Sequence, residues 1–270
     1  MKWENLTADQ LREAVKQSNR TVVLPVSITE KHGHHLPLGT DTFINRLILN
    51  RAEELLPSMV VAPEVTFGQG GETMNGQGTI ALPGELILAL LEGICDELHR
   101  NGFEKILIAD GHGGNEKCLP FFSQSMLTKR KPYVVFTVNT WYMTGEEEKA
   151  LGDKYGWDDD PGHADRDETA LVMAYDENLV HMDLYDPREP HYFKGAEWMG
   201  ENGIFSAVHW PMERETHVTG RPDLACRELG KELCNIHARP LARQVRLIQE
   251  DDMVMVRYRA FTQAARFDGK

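Results

Sequence analysis

The sequence lacks the features of nucleic-acid-binding and membrane-embedded proteins. Among its 270 residues, 29 are Lys or Arg and 42 are Asp or Glu, which gives a net charge of −13. Proteins that bind a phosphate backbone need a basic patch, so this charge balance argues against a nucleic-acid partner. The sequence has no apolar run long enough to span a bilayer and no apolar core of a secretion signal near residue 1. We therefore expect a cytoplasmic protein that acts on a small molecule and has no membrane partner.

Cysteine is scarce as well. The four cysteines, Cys95, Cys118, Cys226 and Cys234, do not occur at the close spacing of thiolate zinc sites. We expect them to be free thiols in a reducing compartment. The missing thiolate pairs also argue against a copper(I) or iron–sulfur site.

Apolar strands alternate with amphipathic helices along the chain. Strands are predicted at residues 21–28, 59–63, 105–110 and 133–139. Helices are predicted at 7–15, 41–56, 83–102, 116–130, 165–175 and 227–250, the last with a possible interruption at Pro240. The acidic segment 146–160 is predicted to be mobile, and 180–220 to be irregular. This alternation predicts a single α/β domain over 1–270, with three α/β/α layers and a mostly parallel central sheet.

Three predicted strand-to-helix loops carry side chains that can bind metals. They contain Glu30, His32 and Asp41 in the first loop, His112 in the second, and His163 with Glu168 in the third. Side chains two positions apart in an extended segment point the same way, so Glu30 and His32 can reach one cavity. Oxygen and nitrogen ligands suit Zn²⁺, Mn²⁺ or Fe²⁺, and a carboxylate can bridge two such ions.

Each of these residues, taken singly, has an ordinary alternative. A lone loop histidine is more often a surface or hydrogen-bonding residue, and the glycines around His112 could form a plain turn or an anion-binding loop. Their occurrence in three successive loops favours a metal site. Asp41 also falls at a predicted helix start, where the helix dipole stabilises a carboxylate.

The order and spacing of the motifs match a known family. The matching motifs are Glu30-x-His32-Gly33-x-His35-Leu36-Pro37-x-Gly39-Thr40-Asp41, Gly78-Thr79-Ile80, Gly111-His112-Gly113-Gly114-Asn115, His163-x4-Glu168-Thr169 and Val218-Thr219-Gly220. With these motifs the sequence resembles the creatininase superfamily of metal-dependent amidohydrolases, from about residue 20 to about residue 240. The resemblance implies a single-domain α/β fold, a homo-oligomer that is often a hexamer, and two divalent ions per chain, zinc or manganese with iron(II) possible.

The resemblance also implies roles for individual residues. The metal ligands would be Glu30, His32, Asp41, His112 and Glu168, with Asp41 as the bridging carboxylate. A hydroxide between the metals would be the nucleophile. His163, together with Glu168, would be catalytic, with His163 transferring a proton to the leaving group. His35 would be a supporting residue.

Five further residues are candidates for contact with the substrate. His34 stands where the family often has proline, at the predicted mouth of the site, and Gly113 follows His112. Trp141 and Trp157 fall near two pocket tryptophans of creatinine amidohydrolase, although packing at a loop base explains them equally well. Asp158 follows Trp157 directly.

Two departures from the family bear on the substrate. Gly114 stands where creatinine amidohydrolase has a metal-binding glutamate, and Asp110 replaces the usual asparagine before Gly-His. We therefore expect a hydrolase that opens a small cyclic substrate at an amide C–N bond, but not creatinine.

Two alternatives remain open at this point. The first is ring-opening C–C hydrolysis of a keto-cyclitol, whose hydroxyls could bind the polar groups of His34, Gln69, Glu72, Asn75, Gln77 and Asp158. The second is a catalytically silent metal-binding protein. Cleavage of a formamide or of a precursor peptide carries less weight.

Overall fold

The centre of the protein is a parallel three-stranded sheet. The computed structural model describes residues 1–157, 162–187, 197–208, 210 and 216–265. The strands β1 (Thr21–Val26), β2 (Lys105–Asp110) and β3 (Val134–Asn139) lie side by side in that order. Their register pairs Val26 with Asp110 and Asp110 with Asn139, so the three carboxyl ends are level. All residues of β1 and β2 are buried, as expected for central parallel strands.

Helices cover both faces of the sheet. They are α1 (Ala8–Gln17), α2 (Thr40–Leu55), α3 (Gly84–Arg100), α4 (Cys118–Lys129), α5 (Gly145–Tyr155), α6 (Arg166–Asp176), α7 (Glu197–Glu201), α8 (Arg227–Glu250) and α9 (Val254–Ala264). Val23 and Leu107 face a core formed with α2, α6 and α8. Val22 and Ile106 face a second core formed with α1, α3 and α4. Because successive strand residues point to opposite faces, this arrangement confirms the predicted three-layer α/β/α class. No helix in the described ranges is long and apolar enough to cross a membrane.

The predicted strand at 59–63 forms only isolated bridges. Val23 donates its N–H to the carbonyl of Val60 and accepts from the N–H of Ala62, each at 2.8 Å. The next N–H of β1 on that edge would come from Pro25, which has none, so the ladder is interrupted there.

The acidic segment 146–160, for which the sequence predicted no helix, begins with the helix α5 (Gly145–Tyr155), and its residues 158–160 lie outside the described residues. Thr144 caps α5, and its side chain and that of Glu147 form a reciprocal capping box. Three acidic residues in the first turn also complement the helix dipole. The closing helix α8 runs without interruption through Pro240, and α9 follows it as a helix that the sequence pattern did not predict.

Candidate metal centre

The ligand-capable side chains meet at the carboxyl end of the sheet. This edge is where parallel α/β folds place their ligands. Glu30 and His32 lie in the loop after β1, and His112 follows β2. Asp41 lies in the first turn of α2 and Glu168 in the first turn of α6. The fold thereby brings all five residues into one buried cluster, which we call the carboxylate–imidazole cluster.

Two triads within this cluster share Asp41. In the first triad, His112 Nδ1 lies 2.9 Å from Asp41 Oδ2 and 3.2 Å from Glu30 Oε1. In the second triad, His32 Nε2 lies 3.1 Å from Asp41 Oδ1 and 3.5 Å from Glu168 Oε2. The ligand atoms of each triad lie within 4.8 Å of one another, so each could hold one metal ion. Asp41 offers a different oxygen to each triad.

Backbone carbonyls orient both imidazoles. The Nδ1 of His32 lies 3.2 Å from the carbonyl oxygen of Glu30, and the Nε2 of His112 lies 2.7 Å from that of Gln69. A carbonyl only accepts, so these nitrogens carry the protons in the neutral rings. The lone pairs of the other ring nitrogens then face the cluster, which is the tautomer that a metal ligand requires.

The cluster concentrates negative charge away from water. Glu30 is 0% exposed, Asp41 2% and Glu168 8%. Burial disfavours the charged form of Asp41, but His32 and His112 outweigh it and hold the pKa of Asp41 well below its usual range. Burial would likewise lower the pKa of His32, yet the Asp41 and Glu168 carboxylates raise that pKa well above its usual value. The buried carboxylates therefore require positive charge beside them.

Several atoms of the cluster have no hydrogen-bond partner among the described residues. They are Glu30 Oε1, His32 Nε2 and Asp41 Oδ2. His32 Nε2 lies 3.1 Å from Asp41 Oδ1, and His112 Nδ1 lies 3.2 Å from Glu30 Oε1 and 2.9 Å from Asp41 Oδ2, but these contacts do not have the geometry of hydrogen bonds. Unpaired buried polar atoms are costly, and a cation among them removes that cost. The donor set of carboxylate oxygens and imidazole nitrogens fits zinc, manganese or iron(II).

Neighbouring groups hold the carboxylates in place. Thr73 Oγ1 donates to Glu30 Oε2 at 2.6 Å, and the N–H of Ala164 donates to Glu168 Oε2 at 2.5 Å. Behind the first loop, His35 Nε2 lies 3.0 Å from Thr169 Oγ1, which supports the role expected for His35. Thr73 lies in the glycine-rich loop before α3, and no local sequence pattern pointed to its contact with Glu30.

His163 lies beside the cluster as a neutral base. Its ring stacks on that of His32 with centroids 4.1 Å apart, and its Nε2 lies 3.0 Å from the carbonyl of Lys31. Burial lowers the pKa of His163, and neighbouring His32 lowers it further. Its Nδ1, 3.9 Å from Glu30 Oε1, is thus free to accept a proton on the side of the cluster.

A cavity of about 850 Å³ opens onto the cluster. Glu30, Asp41, His112, His163 and Glu168 line one part of it, and Gln69, Glu72 and Thr73 add polar groups nearby. The apolar part of its lining consists of Phe121, Ile204, Phe205, Ala207 and Trp210, and Glu116, Lys117 and Ser206 line the cavity as well.

Comparison with known proteins identifies the family. The model of the creatininase family, described as creatinine amidohydrolase, matches residues 4–245. The chain belongs to the creatininase family.

Relatives in this family carry different names. A 3-dehydro-scyllo-inosose hydrolase of Thermotoga maritima is 27% identical in an alignment 231 residues long that covers 82% of this chain and 70% of that protein. A creatinine amidohydrolase of Pseudomonas putida is 23% identical over 203 residues, covering 70% and 76% of the two chains. A Zn–Zn form of a creatininase variant and a manganese form of creatininase superpose on 93% of this chain with TM-scores of 0.76 and 0.75. Their sequences are 18% and 19% identical to this chain, and the superpositions cover 98% and 99% of their own lengths. At this level of identity the similarity shows the fold alone.

The two tryptophans that suggested a creatininase-type pocket make other contacts in this structure. Trp141 packs against the core and lies edge-on to His237, with ring centroids 6.3 Å apart. Trp157 lies under the Arg166 guanidinium, at 4.4 Å from its ring centroid. Neither is among the described residues that line the cavity.

The other three residues expected to contact the substrate are Gly113, His34 and Asp158. Gly113 lines the cavity, whereas His34 is exposed and is not among its described lining residues. Asp158 lies outside the described residues. Trp210 does line the cavity, and its ring meets the His163 ring edge-on at 5.2 Å. Trp210 lies in the segment predicted to be irregular, where no periodicity marks residues that face a site.

Proposed function

We propose that this creatininase-family protein is a divalent-metal-dependent hydrolase that opens a small cyclic substrate at an amide C–N bond. The observation that carries the proposal is the pair of buried triads that share Asp41. Within them, one oxygen each of Glu30 and Asp41 and the Nε2 of His32 have no hydrogen-bond partner among the described residues. Glu30, Asp41 and His112 would hold one ion, and His32, Asp41 and Glu168 the other. Three carboxylates exceed the charge of one divalent ion, which favours two.

When bound, such ions polarise a carbonyl group and lower the pKa of water. The ions would be zinc or manganese, with iron(II) also compatible with the donors. Zinc and manganese forms occur among the solved creatininase structures.

The chain itself supplies proton transfer. His163 is neutral because burial lowers its pKa, so its Nδ1 can take a proton and return it to the leaving nitrogen. The charge of Glu168 favours the protonated form of His163 and so stabilises the imidazolium that forms. We therefore assign His163 the general acid–base role and Glu168 both a ligand role and an electrostatic role.

The backbone near His112 disfavours creatinine as the substrate. A Cβ atom added to Gly114 would lie 2.4 Å from His112 Nε2 and 2.9 Å from the Gln69 carbonyl oxygen. This backbone therefore has no room for the glutamate that creatinine amidohydrolase has at that position. Because this chain lacks that carboxylate, we expect its substrate to differ from creatinine.

A second candidate is C–C hydrolysis of a keto-cyclitol. It is supported by the inosose hydrolase relative and by the polar groups of Gln69, Glu72 and Thr73 on the cavity wall. We further propose a homo-oligomer, a hexamer by analogy with the family, in the cytoplasm. Light scattering on the purified protein tests the assembly.

Metal analysis of protein purified without chelator tests the proposal, together with turnover of lactams, formamides and keto-cyclitols scored by product mass. We expect two divalent ions per chain and at least one fewer in His112→Ala. The matched control is His99→Ala, because His99 is a half-buried histidine on α3 outside the cavity. Equal metal content in wild type and His112→Ala would overturn the assignment. Full metal content without turnover of any class would favour a silent metal-binding protein.

A further inference from the structure

We propose that the substrate carries an apolar substituent and that Phe121, Ile204 and Phe205 form the subsite that binds it. This inference rests on the hydrolase function proposed above. It adds that the ring of the substrate carries a substituent and that the protein contacts the substrate beyond the bond that is cleaved.

The apolar residues and the carboxylate–imidazole cluster line one continuous cavity. Trp210 connects the two parts, because its ring meets the His163 ring edge-on with centroids 5.2 Å apart. A substituent on a substrate held at the cluster can therefore reach these apolar side chains without leaving the cavity.

The subsite is exposed apolar surface within a concave site. Phe121 is 58% exposed, Ile204 50% and Phe205 70%. Contiguous exposed apolar residues favour coverage by a ligand or a partner, and their place in the cavity of the cluster favours the ligand. The Phe205 ring is also held in position, because Lys117 Nζ lies 3.5 Å from its centroid in a cation–π contact.

The size of the cavity supports a larger substrate than an unsubstituted ring. Its volume of about 850 Å³ lies toward the upper end of pockets that enclose drug-sized ligands. A small bare ring at the cluster would leave the apolar part unfilled. Hydroxyl groups placed against Phe121, Ile204 and Phe205 would find no hydrogen-bond partner in those three side chains. The subsite thus favours a substituted cyclic amide over a keto-cyclitol.

Straight-chain alkyl hydroxamates provide a direct test by binding rather than turnover. The hydroxamate oxygens bind divalent metals, and the alkyl chain probes the subsite. We would measure the Kd of the acetyl to hexanoyl compounds by calorimetry on zinc-loaded, full-length protein. Burial of each methylene contributes about 0.8 kcal/mol, so Kd should fall about fourfold per added carbon.

Phe205→Ala and Phe121→Ala should reduce this dependence to less than about twofold per carbon, and this slope does not change when a variant weakens all the hydroxamates equally. Phe261→Ala is the control, because Phe261 is 51% exposed on α9 and does not line the cavity. Thermal melts would establish that the variants fold.

The other outcomes separate the two proposals. Acetohydroxamate binding with no dependence on chain length would overturn the subsite and leave the metal site standing. No binding of any hydroxamate, with no bound zinc, would overturn both. If Phe205→Ala changes the oligomer mass but not the chain-length dependence, the patch is a contact between subunits and the inference is wrong.

Discussion

The carboxylate shared by both triads makes Asp41→Asn the most informative single change. The substitution preserves the shape of the side chain but removes its charge and replaces one oxygen with an NH₂ group. Because His32 faces one oxygen of Asp41 and His112 faces the other, no orientation of the amide serves both triads. We therefore expect the affinity of both sites to fall.

The size of the effect can be worked out for one site. Loss of a group that only orients a ligand costs about 10–100-fold in metal affinity, so loss of a ligating carboxylate should cost at least about 100-fold. At a free metal concentration about 100 times the wild-type Kd, binding stabilises the native state by about 2.7 kcal/mol. The variant, with a Kd about equal to that concentration, gains only about 0.4 kcal/mol. The difference of about 2.3 kcal/mol corresponds to roughly 5–9 °C in Tm for a chain of this size.

The assay is thermal unfolding with and without zinc or manganese after removal of bound metal. Comparing the metal-induced shift within each protein cancels any change in the stability of the metal-free state. Asp9→Asn is the matched control, because Asp9 is exposed on α1. An Asp41→Asn protein with the same metal-induced shift as wild type would refute the shared-ligand argument. The absence of a shift in wild type would refute the metal site altogether.

Two further changes probe how the ligands are held. Gly114→Ala should weaken metal binding because its Cβ would lie 2.4 Å from His112 Nε2, whereas Gly113→Ala should not, since nothing lies within 4 Å of its Cβ. Calorimetric titration with zinc compares the two, and equal affinities would contradict the steric argument. Thr73→Val removes the hydroxyl that donates to Glu30 and should weaken metal binding about 10–100-fold, while Thr73→Ser should retain wild-type affinity. Competition with a chromophoric chelator measures this, and equal affinities of the two Thr73 variants would show that the contact is dispensable.

The sheet could be predicted from local sequence because its strands are short apolar runs with sharp ends. The strand segments 21–26, 105–110 and 134–139 all fall inside predicted strands. The missing fourth strand could not be predicted from 59–63 alone, because the interruption comes from Pro25 in the neighbouring strand. The helix α5 was missed for a different reason. Its charged composition outweighed the Thr144–Glu147 capping signal, which the sequence does contain.

The two halves of the cavity differ in how far sequence could predict them. The cluster residues lie at strand ends and first helical turns, so predicting those elements also predicted that Glu30, Asp41 and His112 meet. The apolar half contains Ile204, Phe205 and Trp210, in a segment without strand or helix periodicity. The resemblance to creatinine amidohydrolase favoured Trp141 and Trp157, which are not among the described residues that line the cavity.

The difference between the cluster and the apolar wall of the cavity has a physical consequence for substrate choice in this family. The cluster needs atoms placed to within a fraction of an ångström, and the sheet and the first turns of α2 and α6 supply that rigidity. The apolar wall needs only shape and hydrophobicity, which short irregular segments can vary without disturbing the core. Substitutions at Phe205 or Ile204 should therefore alter which substrate binds while metal binding persists. Substitutions at Thr73 or Gly114 should instead weaken metal binding, because these residues lie against the proposed ligands Glu30 and His112.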